Sequence, residues 1–357
     1  MAHVVEAERS MIHYLVPLAI FYFGIALCAT YGGTSRTVLL AAALPMVALV
    51  ALRGHAGTDT AAYYTAFSGL EAGVGYGSEP IFLALTGLLW SIWPDPRFVV
   101  NGVSLLIALT MLWALGGARY GAWFGGLLIV PGMFYELSMN VMRFGLAAAL
   151  FLLATRIPAH ARPWRYVAFT LLGTGTHYSS ILLFVLFPAV TRRGQGPVLM
   201  FGVLCAFVAA LAMPAYLGDK TDLYAGMTAP NASSGLLFVL LQTAMLATLW
   251  RFRAEFTVPR TGFWLLVGLE VAFYGLTRLS YAGIRFQLLL TFLMAVVMLR
   301  QYRPANGRMS QALATCLLLI GLVALAGRSN NMLDEAGRGA SPFLPYRVMP
   351  ALEAIYP

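Results

Sequence analysis

The residues best equipped for chemistry cluster in one polar stretch between two apolar runs, "LRGHAGTDTAAYYTAF" at 52–67. It holds Arg53, His55, Gly57, Asp59, Tyr63 and Tyr64, and a second carboxylate, Glu79, follows directly before Pro80 in "YGSEPIFLALTGLLW". A carboxylate at that position is favoured by the positive end of the helix that Pro80 opens. Two acids, a cation and two phenol rings are what sugar transfer needs. An acceptor hydroxyl must give up its proton to a carboxylate, sugar rings bind against aromatic faces, and a pyrophosphate leaving group needs cations. In an inverting transfer one base suffices, because the leaving group departs already anionic. The plainer alternative is a polar loop in which Gly and Asp form turns.

Other charges lie where they are costly. An ionisable group at membrane depth costs at least ~2.5–3.5 kcal/mol on insertion scales. Arg143 stands in "YELSMNVMRFGLAAALFLLATR", seven positions after Glu136, a spacing that puts both on one face of a regular helix. Either it faces a site or it snorkels at a helix mouth. His177 follows Gly-Thr-Gly-Thr in "LLGTGTHYSSILLFVL". That run points to an unwound or closely packed break, and the imidazole is either a core hydrogen-bonder or a ligand. Glu270, Arg278 and Arg285 share "LLVGLEVAFYGLTRLSYAGIRFQLLLTF". Glu270 and Arg278, eight apart, form one expected pair. Alternatively, the planar forks of Arg278 and Arg285 face one cavity and suit a pyrophosphate. Asp219 and Asp222 belong to another loop, no clustered Asp-X-Asp occurs, and no tightly bound metal or cofactor is expected. Cys28, Cys205 and Cys316 read as small core hydrophobes.

The elements that must hold these groups are membrane helices. The 357 residues are 60% hydrophobic and only 10% charged, against about 25% charged in soluble chains. Apolar runs predict spans near 12–30, 37–52, 80–93, 98–116, 141–156, 164–177, 178–191, 198–217, 235–250, 262–278, 284–299 and 310–326. The segment 120–134, broken by Gly and Pro, either spans or re-enters. The N-terminus, acidic and without a basic leader, reads as a first membrane helix and not as a signal peptide. The net charge of +9 is that of basic loops orienting the bundle, not of a nucleic-acid binder. Basic clusters at 155–165, 191–196, 251–256 with Arg260, and 300–308 read as cytoplasmic. The loop at 218–234 and a tail from 327 to 357 read as external. If 120–134 crosses, loop 53–79 is cytoplasmic; if it re-enters, that loop is external. The whole chain, 1–357, reads as one transmembrane domain.

Taken in order, these motifs resemble the EpsG family. There an Arg closes a membrane helix, followed by Gly-Thr-Asp, a Tyr, and a Glu-Pro opening the next helix. The match continues through "NVMRFGLAAAL" (140–150), "THYSSILLFVL" (176–186), "RLSYAGIRFQLLLTF" (278–292) and "SPFLPYRVM" (341–349). Met142 departs from the pattern, which more commonly has a Gln-containing helix mouth. The resemblance implies an all-α, polytopic, GT-C-like protein of about 12–13 transmembrane helices in the bacterial inner membrane. The implied activity is that of a Wzy-like glycosyltransferase. It would polymerise undecaprenyl-pyrophosphate-linked repeat units at the periplasmic face, alongside a chain-length regulator and a flippase. It carries over Arg53, Asp59, Tyr63, Glu79, Arg143, His177, Arg285 and Tyr346. It also favours 120–134 as a re-entrant or tilted half-helix, which puts loop 53–79 outside. The roles expected are Asp59 as general base, Glu79 sharing that role or capping its helix, and His177 bonding phosphate or sugar. Arg143, Arg278 and Arg285 would hold the donor pyrophosphate, with Arg53 in reserve. The rival readings are an enzyme adding one sugar from a polyprenyl-phosphate donor, a lipid-linked glycan transporter, and an acyltransferase.

Overall fold

A computed structural model describes residues 2–30, 33–54, 56–57, 59–68, 78–158, 161–191, 235–280, 282–337, 346 and 348, with side chains from residue 11 save those of 61 and 333–337. Among them regular structure is helical and no strand forms. Among the described residues six helices are long and apolar enough to cross a membrane: Met11–Thr30, Pro96–Gly116, Gly121–Asn140, Arg260–Leu279, Ala282–Gln301 and Gln311–Met332. The expected span at 198–217 and the loop at 218–234 lie outside the described residues. The chain forms two compact units, where the sequence reads as one domain. The first comprises 1–156, 171–179 and 317–357; the second comprises 157–170 and 180–316.

In the first unit, α1 (Ala2–Thr30) and α2 (Arg36–Ala51) pack closely where Gly24 meets Ala42. Ser35 starts α2 by accepting the Val38 N–H on its hydroxyl. α3 (Thr60–Ser68) and α4 (Pro80–Ile92) follow, then α5 (Pro96–Gly116), capped by Asp95. α2 and α5 run antiparallel along their length. At one end the Arg36 guanidinium lies 4.0 Å from the Trp113 ring. At the other, Asn101 donates from Nδ2 to the Arg53 carbonyl, 3.1 Å.

That antiparallel pair corrects two expectations. Because α2 ends where α5 begins, the intervening chain makes an even number of crossings. α3, nine residues or about 14 Å long, is too short to cross, so the expected span at 80–93 is not a crossing. α4 buries only Phe82 and Thr86 and exposes Leu88 and Ile92, and Trp93 just after it is exposed too. Conversely, 120–134 is no half-helix. It lies within a continuous helical rod, α6 (Gly121–Phe124), a π turn (Gly125–Ile129), α7 (Val130–Tyr135) and a second π turn (Glu136–Asn140). Its start meets the N-terminal end of α2, Ala122 N–H to Thr34 Oγ1 at 2.8 Å. Its finish meets the C-terminal end, Arg53 Nη1 to Ser138 O at 3.3 Å. Gly and Pro do not break this rod. The rod widens at two π turns instead, the first holding Gly125 and Gly126 with Pro131, which has no N–H to give, just after it, the second holding neither Gly nor Pro.

α8 (Met142–Ala154) returns along α5 and the second π turn, and is almost wholly buried. Gly145 permits this: a Cβ there would stand 1.9 Å from the Leu137 carbonyl oxygen. Gly145→Ala is therefore expected to push α8 off the π turn, at about 1–3 kcal/mol, read as a lowered melting midpoint in detergent.

In the second unit, α9 (Pro163–Thr176) and α10 (Ile181–Thr191) form a hairpin through His177 and a 3₁₀ turn at Tyr178–Ser180. Tyr166 donates to the Phe184 carbonyl, 2.9 Å, across it. The end of α9 and the turn, 171–179, belong to the first unit. α11 (Leu236–Arg251), α12 (Arg260–Leu279) and α13 (Ala282–Gln301) complete the second unit. α13 is its core, tied to α11 by Gln242 Nε2 bonding to the Gln287 carbonyl and Thr291 Oγ1, both 2.9 Å. α14 (Gln311–Gly337) runs ten residues beyond the expected start of the tail at 327. It does so because Arg328 and Met332 are held inside the first unit.

Candidate active site

Glu79 sits just before α4 with Pro80 as its first helical residue, and it is 1% exposed. Its side chain caps nothing. Oε2 instead accepts from Arg143 Nη1 at 2.8 Å, and Oε1 lies 3.3 Å from His177 Nδ1. Three elements make this convergence. Arg143 is the second residue of α8. His177 stands where α9 stops. Gly175 lets α9 approach the start of α4, since a Cβ there would meet Ile81 Cγ1 at 2.5 Å. Tyr178 then latches the turn by donating to the Ser78 carbonyl, 2.6 Å.

Burial works to raise the Glu79 carboxyl, but the His177 hydrogen bond and the Arg143 charge outweigh it and bring the group down to about 2. Glu79 is thus ionised at every physiological pH and has both oxygens engaged. Its chemistry is to fix Arg143 and His177. The carboxylate lies behind, with a side chain 2% exposed, while Arg143 and His177 show 21% and 20%.

The expected Glu136–Arg143 face does not form. Val141, at φ −78° and ψ 55°, and the π turn before it break the 3.6-residue register between the two. Glu136 pairs instead with Arg328 of α14, Nη2 to Oε2 at 2.5 Å, and accepts from Asn140 Nδ2 on the same oxygen at 3.0 Å. Neither Arg328 nor Asn140 stands out in the sequence. The only signal is that Arg328 closes the last long apolar run.

Arg53 is turned inward and fully buried. Nη1 bonds the Ser138 carbonyl and Nη2 the Met142 sulfur, 3.4 Å. Burial lowers its pKa to about 10, against the phenols of Tyr64, Tyr14, Tyr346 and Tyr63, so it stays cationic at neutral pH. Gly57, at φ +116°, adopts a conformation that favours glycine, and a Cβ would stand 2.7 Å from Asn140 Oδ1. Arg53 and Gly57 of the signature loop therefore both shape the π turn 136–140. Tyr63 is buried against Phe67 and Phe82, at 5.7 and 6.4 Å between ring centres. Tyr346 stacks on His13 and donates to the Leu49 carbonyl at 2.8 Å, and Val348 bridges to Arg53. Asp59 is half-buried at the start of α3, its carbonyl accepting the Tyr63 N–H at 2.9 Å.

Arg278 and Arg285 belong to the second unit and are exposed. Arg278 does not pair with Glu270. It lies over the Tyr274 ring at 4.5 Å and bonds that phenol. Glu270 faces α11 and accepts from Thr243 Oγ1, 2.6 Å.

A bundle of long apolar helices with an ion-paired cluster held at one end of α2 and α5 defines a multi-pass helical membrane protein. The EpsG family model matches residues 36–348, a span that includes every residue of the cluster, and the chain belongs to the EpsG family. No curated protein and no solved structure matches it.

Proposed function

We propose that this protein is a GT-C-type membrane glycosyltransferase. In this reading it polymerises undecaprenyl-pyrophosphate-linked oligosaccharide repeat units into exopolysaccharide, capsule or O-antigen. The observation that carries the reading is the Glu79–Arg143–His177 cluster inside a chain of the EpsG family. A guanidinium held in place by a buried carboxylate, with an imidazole beside it, suits a pyrophosphate: the donors are fixed before the ligand arrives. Arg143 and His177 bind the leaving group, and Glu79 orients them. Arg278 and Arg285 are further candidates for anionic substrate. Arg53 acts by holding the backbone that carries Arg143.

Sidedness supports the same reading. Arg36, Arg119 and Arg156 gather at one end of the first unit: Thr34 N–H bonds the Arg119 carbonyl, and the Arg156 guanidinium lies against Gly117. Basic residues of short loops mark the cytoplasmic side, whereas Arg53, Arg143 and Arg328 at the other end are buried or ion-paired; in this reading the cluster faces the periplasm of an inner-membrane protein. A chain-length regulator and a flippase are the expected neighbours.

The test is gel analysis of lipid-linked glycans in a strain lacking the protein. Single repeat units are expected to accumulate, with a full ladder restored by the wild-type gene. A normal ladder lacking one sugar would mean an enzyme that adds a single residue. Repeat units trapped on the cytoplasmic face would mean a transporter.

A further inference from the structure

We propose that Glu136 is the base that deprotonates the acceptor sugar; the inference rests on the polymerase reading above. Of the carboxylates placed at this end of the first unit, Asp95 caps α5 by accepting the Arg97 N–H, and Glu79 has both oxygens bonded and is shut away from substrate. Asp59 stands half-buried at the head of α3, with its carbonyl accepting the Tyr63 N–H, a position at which Asp is preferred as a helix cap. Glu136 differs from all of these. Its two contacts, Arg328 and Asn140, fall on Oε2 alone, and among the described residues Oε1 has no protein partner. Its side chain is 21% exposed. It projects from a π turn, a widened turn found frequently at functional sites. That turn is held by Arg53 through the Ser138 carbonyl and crowded by Gly57 against Asn140. Seven residues on, the same stretch of chain delivers Arg143.

The step balances. Glu136 Oε1 takes the proton of the acceptor hydroxyl, and the hydroxyl oxygen forms a bond to the anomeric carbon of the donor. The bond from that carbon to the pyrophosphate oxygen breaks, and the lipid pyrophosphate leaves with the electron pair toward Arg143 and His177. The proton passes from Glu136 to water after the product moves. Arg328 and Asn140 are positioning residues that aim Oε1.

The experiment uses membranes of the deletion strain carrying wild-type or variant protein, supplied with lipid-linked repeat unit extracted from that strain. Glu136→Ala and Glu136→Gln are expected to lower the initial rate of ladder formation by about a hundredfold or more, at wild-type membrane levels. Sodium formate is expected to restore part of the Glu136→Ala rate, and Asp59→Asn to keep its ladder. Wild-type rates in Glu136→Gln would overturn the assignment. So would a Glu136→Ala loss that formate does not relieve, or a ladder lost in Asp59→Asn alone. If wild-type membranes make no ladder from the supplied unit, the polymerase reading fails instead.

Discussion

Arg143→Ala is expected to abolish polymer and to destabilise the protein, and Glu79→Ala to do the same. Each removes one partner of a largely buried pair, with Glu79 only 1% exposed and its carboxyl brought down to about 2 by His177 and Arg143 together. Breaking such a pair from one side costs about 3–5 kcal/mol, whereas replacing both partners by apolar side chains of similar volume is often neutral. The double variant Glu79→Leu/Arg143→Met is therefore expected to recover the wild-type melting midpoint in detergent and to make no polymer. Single repeat units should accumulate in all three strains. A double variant that restored the ladder would reduce the cluster to a brace between α4 and α8, and the pyrophosphate seat would have to lie elsewhere.

The second large effect is at Arg53, the most voluminous of the fully buried side chains. Arg53→Ala empties that volume and removes the donor to the Ser138 carbonyl, at about 3–5 kcal/mol, the range for truncating a large core side chain. Arg53→Met fills most of the space but still leaves the Ser138 carbonyl without this donor, so about 1–3 kcal/mol is expected. Hydrogen exchange checks the direction of the effect. In Arg53→Met, amides of 138–142 should exchange faster while those of the α2 midsection stay protected. Equal loosening of both would mean that Arg53 supports α2 and not the π turn.

The sequence made the membrane class legible, because low charge and long apolar runs follow from bilayer thickness alone. It also made Glu79, Arg143 and His177 visible as polar groups in apolar surroundings. Their partners were hidden. Pairing Glu136 with Arg143 assumed 3.6 residues per turn across a stretch that takes a π turn and a break at Val141. Pairing Glu270 with Arg278 assumed that neighbours on one helix prefer each other to Thr243 on the next. Hydropathy cannot tell a crossing helix from an apolar helix that stays on one side, so 80–93 was counted as a span. Once it is removed, 120–134 can cross and loop 53–79 can still face outward. Arg328 sat at the edge of an apolar run, where a helix end and a loop start look alike.

The α9–α10 hairpin has one more consequence. Its helices are fourteen and eleven residues long. At 1.5 Å per residue they reach about 21 and 16 Å, short of the ~30 Å hydrocarbon layer. His177 nevertheless stands level with Glu79 and Arg143, so short helices carry it there, and a mismatch with the surrounding lipid costs fractions of a kcal/mol per Å. Under the polymerase reading, acyl-chain length is then expected to become a variable of the reaction, the thickness of the host membrane helping to set how readily a lipid-borne headgroup reaches the cluster.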